Sequence, residues 1–133
     1  MVNPNWYQEL ASRTESLPNL AMEDRVVNPR VLRLLHAGIG MGTEAGEFND
    51  MLKKHIYYGA ALDELNLVEE MGDLLWYIAI ACNTLGVDLS KVMKLNIQKL
   101  DVRYPDKFTE EYALMRDLII ERATLEDNSE GNE

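Results

Sequence analysis

Two short acidic clusters hold the side chains of this chain that are best suited to chemistry. Glu44 and Glu47 lie three residues apart, and so do Glu70 and Asp73. Residues three apart on a helix share a face, so each pair would project its carboxylates together. Four converging carboxylates repel unless a cation lies among them, and oxygen ligands without Cys or paired His favour Mg²⁺ or Mn²⁺ over zinc. The spacing therefore predicts a metal site, with Glu69 as an alternative to Glu70.

An ordinary solvated helix face is the competing interpretation for either acidic pair alone. However, Glu70 and Asp73 are interleaved with Leu67, Leu74 and Tyr77, so the pattern predicts that both carboxylates face the core. Buried carboxylates without a partner are costly, and a cation is the natural compensation. This context favours the metal site.

The elements that must position these acids are two long helices. Asn28-Pro29 marks the start of the first, which runs to about Tyr57, and Asp63 starts the second, which ends at Gly86. The segment 58–63 suits a helix end, a tight connection and a new N-cap. The two helices are therefore predicted to form an antiparallel hairpin that brings the acidic pairs face to face.

The rest of the chain also has helical patterns. A short helix is predicted over residues 5–16, a third long helix begins after Asp88 and stops at Tyr104-Pro105, and Thr109 caps a last helix. The sequence contains no convincing strand alternation. It predicts an all-α fold, with one domain over residues 1–126 and a disordered tail over residues 127–133.

The third long helix has a polar face of its own. Asn96, Lys99 and Arg103 follow one another at helical spacing, and Asn96 lies on the apolar stripe, so its amide needs a buried partner. Lys99 and Arg103 suit phosphate oxygens, although a basic helix edge that merely covers apolar surface is an equal alternative. Lys54, two turns beyond Glu47, could also reach a phosphate.

Composition and charge narrow the classes of partner. The chain has 133 residues and a formal net charge of −10, which argues against nucleic acid or an anionic membrane surface as partner. The apolar run around Cys82 is too short to cross a membrane, and its thiol is predicted to be buried and inert. With no signal-peptide pattern, the chain is predicted to be cytoplasmic.

Two patterns in the sequence suggest other kinds of site, a phosphate loop and a di-iron bundle, but each lacks residues that such a site needs. The glycines Gly38, Gly40 and Gly42 lack the preceding strand and the Lys-Ser/Thr of a phosphate loop, so close helix approach explains them better. A di-iron bundle needs Glu-x-x-His pairs, and neither His36 nor His55 has a glutamate three residues earlier.

The order of these motifs resembles that of the MazG-like nucleotide pyrophosphohydrolases, which belong to the all-α NTP pyrophosphatase superfamily. The resemblance runs from about Leu34 to Phe108. It rests on the segments Gly42-Thr43-Glu44-Ala45-Gly46-Glu47, Lys53-Lys54-His55, Glu69-Glu70-Met71-Gly72-Asp73-Leu74-Leu75-Trp76-Tyr77 and Asn96-Ile97-Gln98-Lys99-Leu100-Asp101-Val102-Arg103-Tyr104-Pro105-Asp106-Lys107-Phe108.

The resemblance implies a four-helix MazG-like core, with a short N-terminal helix and a C-terminal helix, that assembles as a homo-oligomer, either a dimer or a tetramer. It implies magnesium-dependent hydrolysis of (deoxy)nucleoside triphosphates to the monophosphate and pyrophosphate, for control or house-cleaning of the nucleotide pool. The matching positions are the metal-binding acids Glu44, Glu47, Glu70 and Asp73, and the substrate-binding residues Asn96, Lys99, Arg103 and Tyr104.

One position departs from the family pattern. Many members begin the first motif with two acids, whereas this chain has Thr43 before Glu44. The role of the base that activates water then falls to Glu44 or Glu47. Two other functions remain open from the sequence: a non-catalytic helical module that binds a nucleotide or metal and regulates a partner, and an acidic interaction domain without a ligand.

Overall fold

The computed structural model describes residues 4–17 and 19–130. Its regular elements over those residues are all helices, which confirms the all-α prediction. In chain order they are α1 Pro4–Ser12, α2 Leu20–Val26, α3 Pro29–Tyr58, α4 Glu64–Leu85, α5 Leu89–Arg103, α6 Glu110–Leu114 and α7 Leu118–Glu130.

Helices α3 and α4 form the predicted hairpin and pack along each other. The Asn28 side chain accepts hydrogen bonds from the backbone N–H groups of Arg30 and Val31, with Pro29 in the first turn, so α3 begins as the sequence indicates. Gly59 ends α3 with a left-handed φ of 71°, a conformation that glycine adopts without steric cost. Asp63 caps α4 by accepting from the backbone N–H of Asn66 at 3.1 Å.

The hairpin is antiparallel, as predicted. The Arg30 Nε at the start of α3 donates to the carbonyl oxygen of Thr84 near the end of α4 at 3.3 Å. Gly40 of α3 lies against the Tyr77 ring of α4, and a Cβ added to Gly40 would overlap that ring. The explanation of the glycines by close helix approach is therefore confirmed at Gly40, whereas Gly38 and Gly42 face open space.

Helices α5 and α7, in the last third of the chain, form a second packing unit. Helix α5 packs on α7 and touches α4 only briefly. The single helix predicted after Thr109 is wrong, because it divides into α6 and α7. Asp117 is the reason, since its Oδ1 accepts from the backbone N–H groups of Ile119 and Ile120, each at 3.0 Å, and so begins a new helix.

Other boundaries differ in smaller ways. The first helix ends at Ser12 rather than at residue 16, and α2 was not predicted. Asp88 precedes α5 but makes no side-chain capping hydrogen bond. The disordered tail over residues 127–133 stays a prediction; α7 extends to Glu130, and residues 131–133 lie outside the described residues.

The core of the single chain is thin. Within the described residues, the buried apolar side chains are Ala37 and Cys82, so the predicted burial of the Cys82 thiol is confirmed. Large apolar side chains on both long helices are exposed, among them Leu35 and Ile39 on α3 and Leu65 on α4. None of the described helices is both long enough and apolar enough to cross a membrane.

Candidate metal centre

Three carboxylates meet between α3 and α4. Glu44 and Glu47 come from α3 and Glu70 from α4, and one oxygen of each lies within 4.8 Å of the others. Glu70 is buried, with 5% of its surface exposed, Glu44 is half-buried and Glu47 is exposed. The predicted convergence of acids from neighbouring helices is therefore present for these three residues.

This arrangement fits a hard divalent cation. Three like charges this close are mutually destabilising in the partly buried gap between two helices, and a cation relieves the repulsion. In an octahedral Mg²⁺ site, adjacent oxygen ligands stand about 3.0 Å apart and opposite ones about 4.2 Å apart. Carboxylate oxygens that lie within 4.8 Å of one another can therefore reach a shared ion by side-chain adjustment. The ligand set is made of carboxylates alone, which suits Mg²⁺ or Mn²⁺ better than zinc.

Glu70 is held by a neighbour on its own helix. The side-chain amide of Asn66 donates to Glu70 Oε1 at 2.9 Å and to Glu69 Oε2 at 3.4 Å. Glu69 is exposed and lies outside the group of three, so the structure places Glu70 rather than Glu69 beside the α3 acids. Sequence reasoning missed Asn66, although its spacing of four residues from Glu70 was the available signal.

Asp73 does not join the three acids. Its side chain is exposed, so the prediction that it faces the core together with Glu70 is wrong. Three residues of α-helix turn the direction of a side chain by about 60° away from the starting residue. Asp73 therefore leaves α4 in a different direction from Glu70, and its side chain is exposed. Its assignment as a metal ligand stays a prediction.

A cavity of about 450 Å³ opens beside the cluster. It is lined by Thr43, Gly46, Glu47, Asp50, Met51, Lys54, Asn66 and Glu70. Two of the three clustered acids thus face the same space as one lysine. A larger cavity, of about 520 Å³, lies at the turn between α4 and α5 and contains none of the clustered acids.

Lys54 lines the cavity and forms an ion pair with Asp50, which lines the same cavity. Asp50 forms an ion pair with Lys54 at 2.7 Å and another with Lys53. The two lysines lower the pKa of Asp50 to about 2, and Asp50 in turn raises the pKa of Lys53. Asp50 is therefore ionised at neutral pH, and it holds the amine of Lys54 within the α3 surface that borders the cavity.

Thr43, which occupies the position of the absent acid, has two polar contacts. Its hydroxyl donates to the carbonyl oxygen of Gly40 at 2.8 Å, and it lies 3.3 Å from Glu44 Oε1. The single hydroxyl proton can serve only one of these two acceptors at a time. The first motif therefore offers two carboxylates at this site, Glu44 and Glu47, as the sequence indicated.

The predicted residues of α5 do not line this cavity. Asn96 is exposed, so its predicted place in a buried stripe is wrong; α5 packs on α7 rather than along α4, which leaves that side of the helix uncovered. Lys99 and Tyr104 are half-buried. The phosphate-binding roles of the α5 residues stay predictions.

Arg103 is instead paired with a carboxylate from α7. Its Nε and Nη2 donate to the two oxygens of Glu121 at 2.7 and 2.5 Å, and Arg116 binds the same carboxylate at 2.9 Å. Hydrogen bonds from Arg103, and then from Arg116, lower the pKa of Glu121 to about 2 despite its burial. Glu121 likewise raises the pKa of Arg103. The Arg103 guanidinium also lies 5.7 Å from the centre of the Tyr104 ring.

Comparisons with known proteins agree with the geometry of α3 and α4. The family model described as MazG nucleotide pyrophosphohydrolase domain matches residues 40–108, which include all three clustered acids. The Gene 37 protein of Mycobacterium phage L5 is 34% identical over 101 residues, covering 73% of this chain and 84% of its own length. No solved structure matches the chain significantly. Since the family model covers more than half of the sequence, the chain belongs to the MazG nucleotide pyrophosphohydrolase domain family.

Proposed function

We propose that this protein hydrolyses (deoxy)nucleoside triphosphates to the monophosphate and pyrophosphate, with Mg²⁺ or Mn²⁺ as cofactor. The observation that carries the proposal is the convergence of Glu44, Glu47 and Glu70 beside a cavity that also contains Lys54. Phosphoryl transfer depends mainly on positioning and on neutralisation of phosphate charge, rather than on a protein nucleophile. An acidic cluster next to a cationic side chain meets both needs.

Glu44, Glu47 and Glu70 would hold the divalent cation, and Asp73 is the fourth acid that the resemblance adds. A bound divalent cation supplies charge neutralisation on the phosphate oxygens and lowers the pKa of water. Glu70 is the most constrained ligand because it is buried and hydrogen-bonded. Glu47 is the most accessible, since it is exposed and lines the cavity.

Glu44 or Glu47 serves as the general base. In the reaction, the oxygen of a water molecule bonds to phosphorus, the bridging bond between the α- and β-phosphates breaks, and pyrophosphate leaves. The proton of the water passes to a carboxylate within hydrogen-bonding reach. Glu47 has the better access to the cavity, whereas Glu44 lies deeper and beside Thr43.

Lys54 is proposed to bind the phosphate groups. Its amine is flexible and about half of its side chain is exposed, so it can exchange Asp50 for a phosphate oxygen without rearrangement of α3. Asn96, Lys99, Arg103 and Tyr104 are further candidates from the sequence. For Arg103 this role would require it to leave Glu121, its partner in this structure.

We also propose that the chain forms a homo-oligomer, a dimer or a tetramer. Large apolar side chains on α3 and α4 are exposed, such as Leu35, Ile39, Leu65 and Leu75. Monomeric soluble proteins rarely expose large apolar patches. A second copy would cover them. The expected cytoplasmic location and the absence of a nucleic-acid partner remain predictions from the sequence.

A panel of NTPs and dNTPs with Mg²⁺ or Mn²⁺ tests the proposal. We expect release of monophosphate and pyrophosphate, and loss of both in Glu47→Ala and Glu70→Ala while circular dichroism stays unchanged. Glu64→Ala is the matched control, because Glu64 is an exposed acid of α4 outside the cluster. Ligand-induced thermal stabilisation without turnover would instead support a regulatory binding module. The panel also identifies the preferred base and sugar.

A further inference from the structure

We propose that Asn66 is a positioning residue that fixes the Glu70 carboxylate for the divalent cation. This inference rests on the proposed function, because it assigns Asn66 a role at the same site. Asn66 lies in the first turn of α4 and lines the cavity beside Glu47 and Glu70. It would act on the cation only through its hydrogen bond to Glu70, so it is a positioning residue and not a catalytic one.

The position of Asn66 is fixed from two sides. Its backbone N–H donates to Asp63 Oδ1 at 3.1 Å, which anchors the first turn of α4. Its side-chain amide reaches forward one turn and donates to Glu70 Oε1 at 2.9 Å. The capping hydrogen bond from Asp63 thus fixes the first turn of α4. The side-chain amide of Asn66, which lies in that turn, then holds the buried carboxylate of Glu70.

Glu70 needs such a donor because the other groups around it repel it. Glu44 and Glu47 place carboxylate oxygens within 4.8 Å, and an unrestrained Glu70 would turn away from them toward solvent. Over the described residues, the Asn66 amide is the donor that the structure gives to Glu70, and neither lysine nor arginine forms an ion pair with it. The orientation of Glu70 therefore depends on this one amide.

A neutral donor suits this role better than a charged one. A lysine or arginine in place of Asn66 would orient Glu70 but would also neutralise the cluster and compete with the cation. The amide restrains one oxygen without adding positive charge, so the three acids keep their full attraction for a divalent ion. Hydrogen-bonding partners of metal ligands commonly contribute 10–100-fold to metal affinity or activity.

The alternative is an ordinary side-chain pair on one helix, which contributes only a few tenths of a kcal/mol to helix stability. The two possibilities differ in what a substitution changes. A merely structural pair would alter thermal stability in the absence of metal and leave metal affinity unchanged. A positioning residue would alter metal affinity while the metal-free stability changes little.

The test is the affinity of the full chain for Mn²⁺, measured by calorimetry and by electron paramagnetic resonance without substrate. We expect Asn66→Ala to bind Mn²⁺ about 10–100-fold more weakly than the wild type, and Asn66→Gln, which keeps the donor, to recover most of the loss. Asn83→Ala is the matched control, because Asn83 is an exposed asparagine of the same helix far from the cluster. Thermal unfolding with EDTA checks that every variant folds.

The outcomes distinguish failure of the positioning role of Asn66 from failure of the proposed hydrolase function. If Asn66→Ala binds Mn²⁺ within about twofold of the wild type, the positioning role is overturned, and the proposed function stands or falls by the triphosphate assay. If the wild type binds Mn²⁺ but hydrolyses no triphosphate, the proposed function fails while the Asn66 comparison still decides the positioning role. If the wild type binds no Mn²⁺ without substrate, the positioning role is overturned, and the triphosphate assay alone decides the proposed function.

Discussion

Replacing Gly40 by alanine should weaken the contact that holds α3 against α4. A Cβ at Gly40 would overlap the Cε1, Cζ and Cδ1 atoms of the Tyr77 ring, so either the ring must rotate or the two helices must separate. The ring also makes edge-on contacts with His36, at 5.7 Å between centroids, and with Trp76, at 4.9 Å. A rotation that relieves the overlap disturbs both contacts.

The size of the effect follows from two opposing contributions. An extra carbon in a filled helix interface costs about 1–3 kcal/mol, whereas Gly→Ala inside a helix stabilises by about 1 kcal/mol. Gly38→Ala is the matched control, since Gly38 is on the same helix and has no neighbour within 4 Å of its added Cβ. The helix contribution is common to both variants, so Gly40→Ala should be less stable than Gly38→Ala by about 1–3 kcal/mol.

Urea unfolding followed by circular dichroism measures this difference, with light scattering to confirm that both variants keep the oligomeric state of the wild type. A double-mutant cycle with Tyr77→Leu should show that the penalty of Gly40→Ala shrinks by at least about 1 kcal/mol when the ring is absent. Equal stability of the two alanine variants would refute the close contact between Gly40 and Tyr77. A penalty that persists without the ring would show that something other than Tyr77 fills the space.

Two further predictions concern charge. Lys54→Met should raise the KM for a triphosphate by about tenfold, as expected for loss of one hydrogen bond to a charged phosphate, while Lys53→Met, which removes the neighbouring lysine that does not line the cavity, should change it less than about twofold. Steady-state kinetics measure both, and equal effects would contradict the assignment. Glu121 has a pKa of about 2 in the folded chain and an ordinary value of 4.5, so its stabilising effect is complete above about pH 4.5 and is lost as the pH falls toward 2. The urea midpoint of Glu121→Gln should therefore fall less between pH 5 and pH 3 than that of the wild type, and parallel pH profiles would disprove this reasoning.

Local signals were enough to predict the part of the site that lies between α3 and α4. Asn28-Pro29, Gly59 and Asp63 fix where the two helices begin and end, because capping depends on residues adjacent in sequence. Once those boundaries are fixed, helical spacing alone brings Glu44 and Glu47 opposite Glu70. That is why three of the four predicted acids converge.

The features that sequence reasoning missed depend on packing between distant segments. Asp73 is exposed because of how α3 packs on α4, and Asn96 is exposed because α5 packs on α7 rather than along α4. The periodicity of a single helix contains no information about such packing between helices. The pairing of Arg103 with Glu121 joins residues 18 positions apart in separate helices. The periodicity after Thr109 predicts one continuous helix through Asp117, and it does not reveal that the Asp117 side chain caps a new helix.

The carboxylate that joins Arg103 to Arg116 lies beyond the segment shared with the family. Glu121 follows residue 108, the last position of the family match, yet its neutralisation of Arg103 holds α7 against the end of α5. A chain cut after Phe108 would retain every clustered acid but leave that arginine without its counter-ion. Anions in the surrounding buffer could then bind the Arg103 guanidinium, so binding data from such a shortened chain would report an anion site that Glu121 occupies in the 133-residue chain.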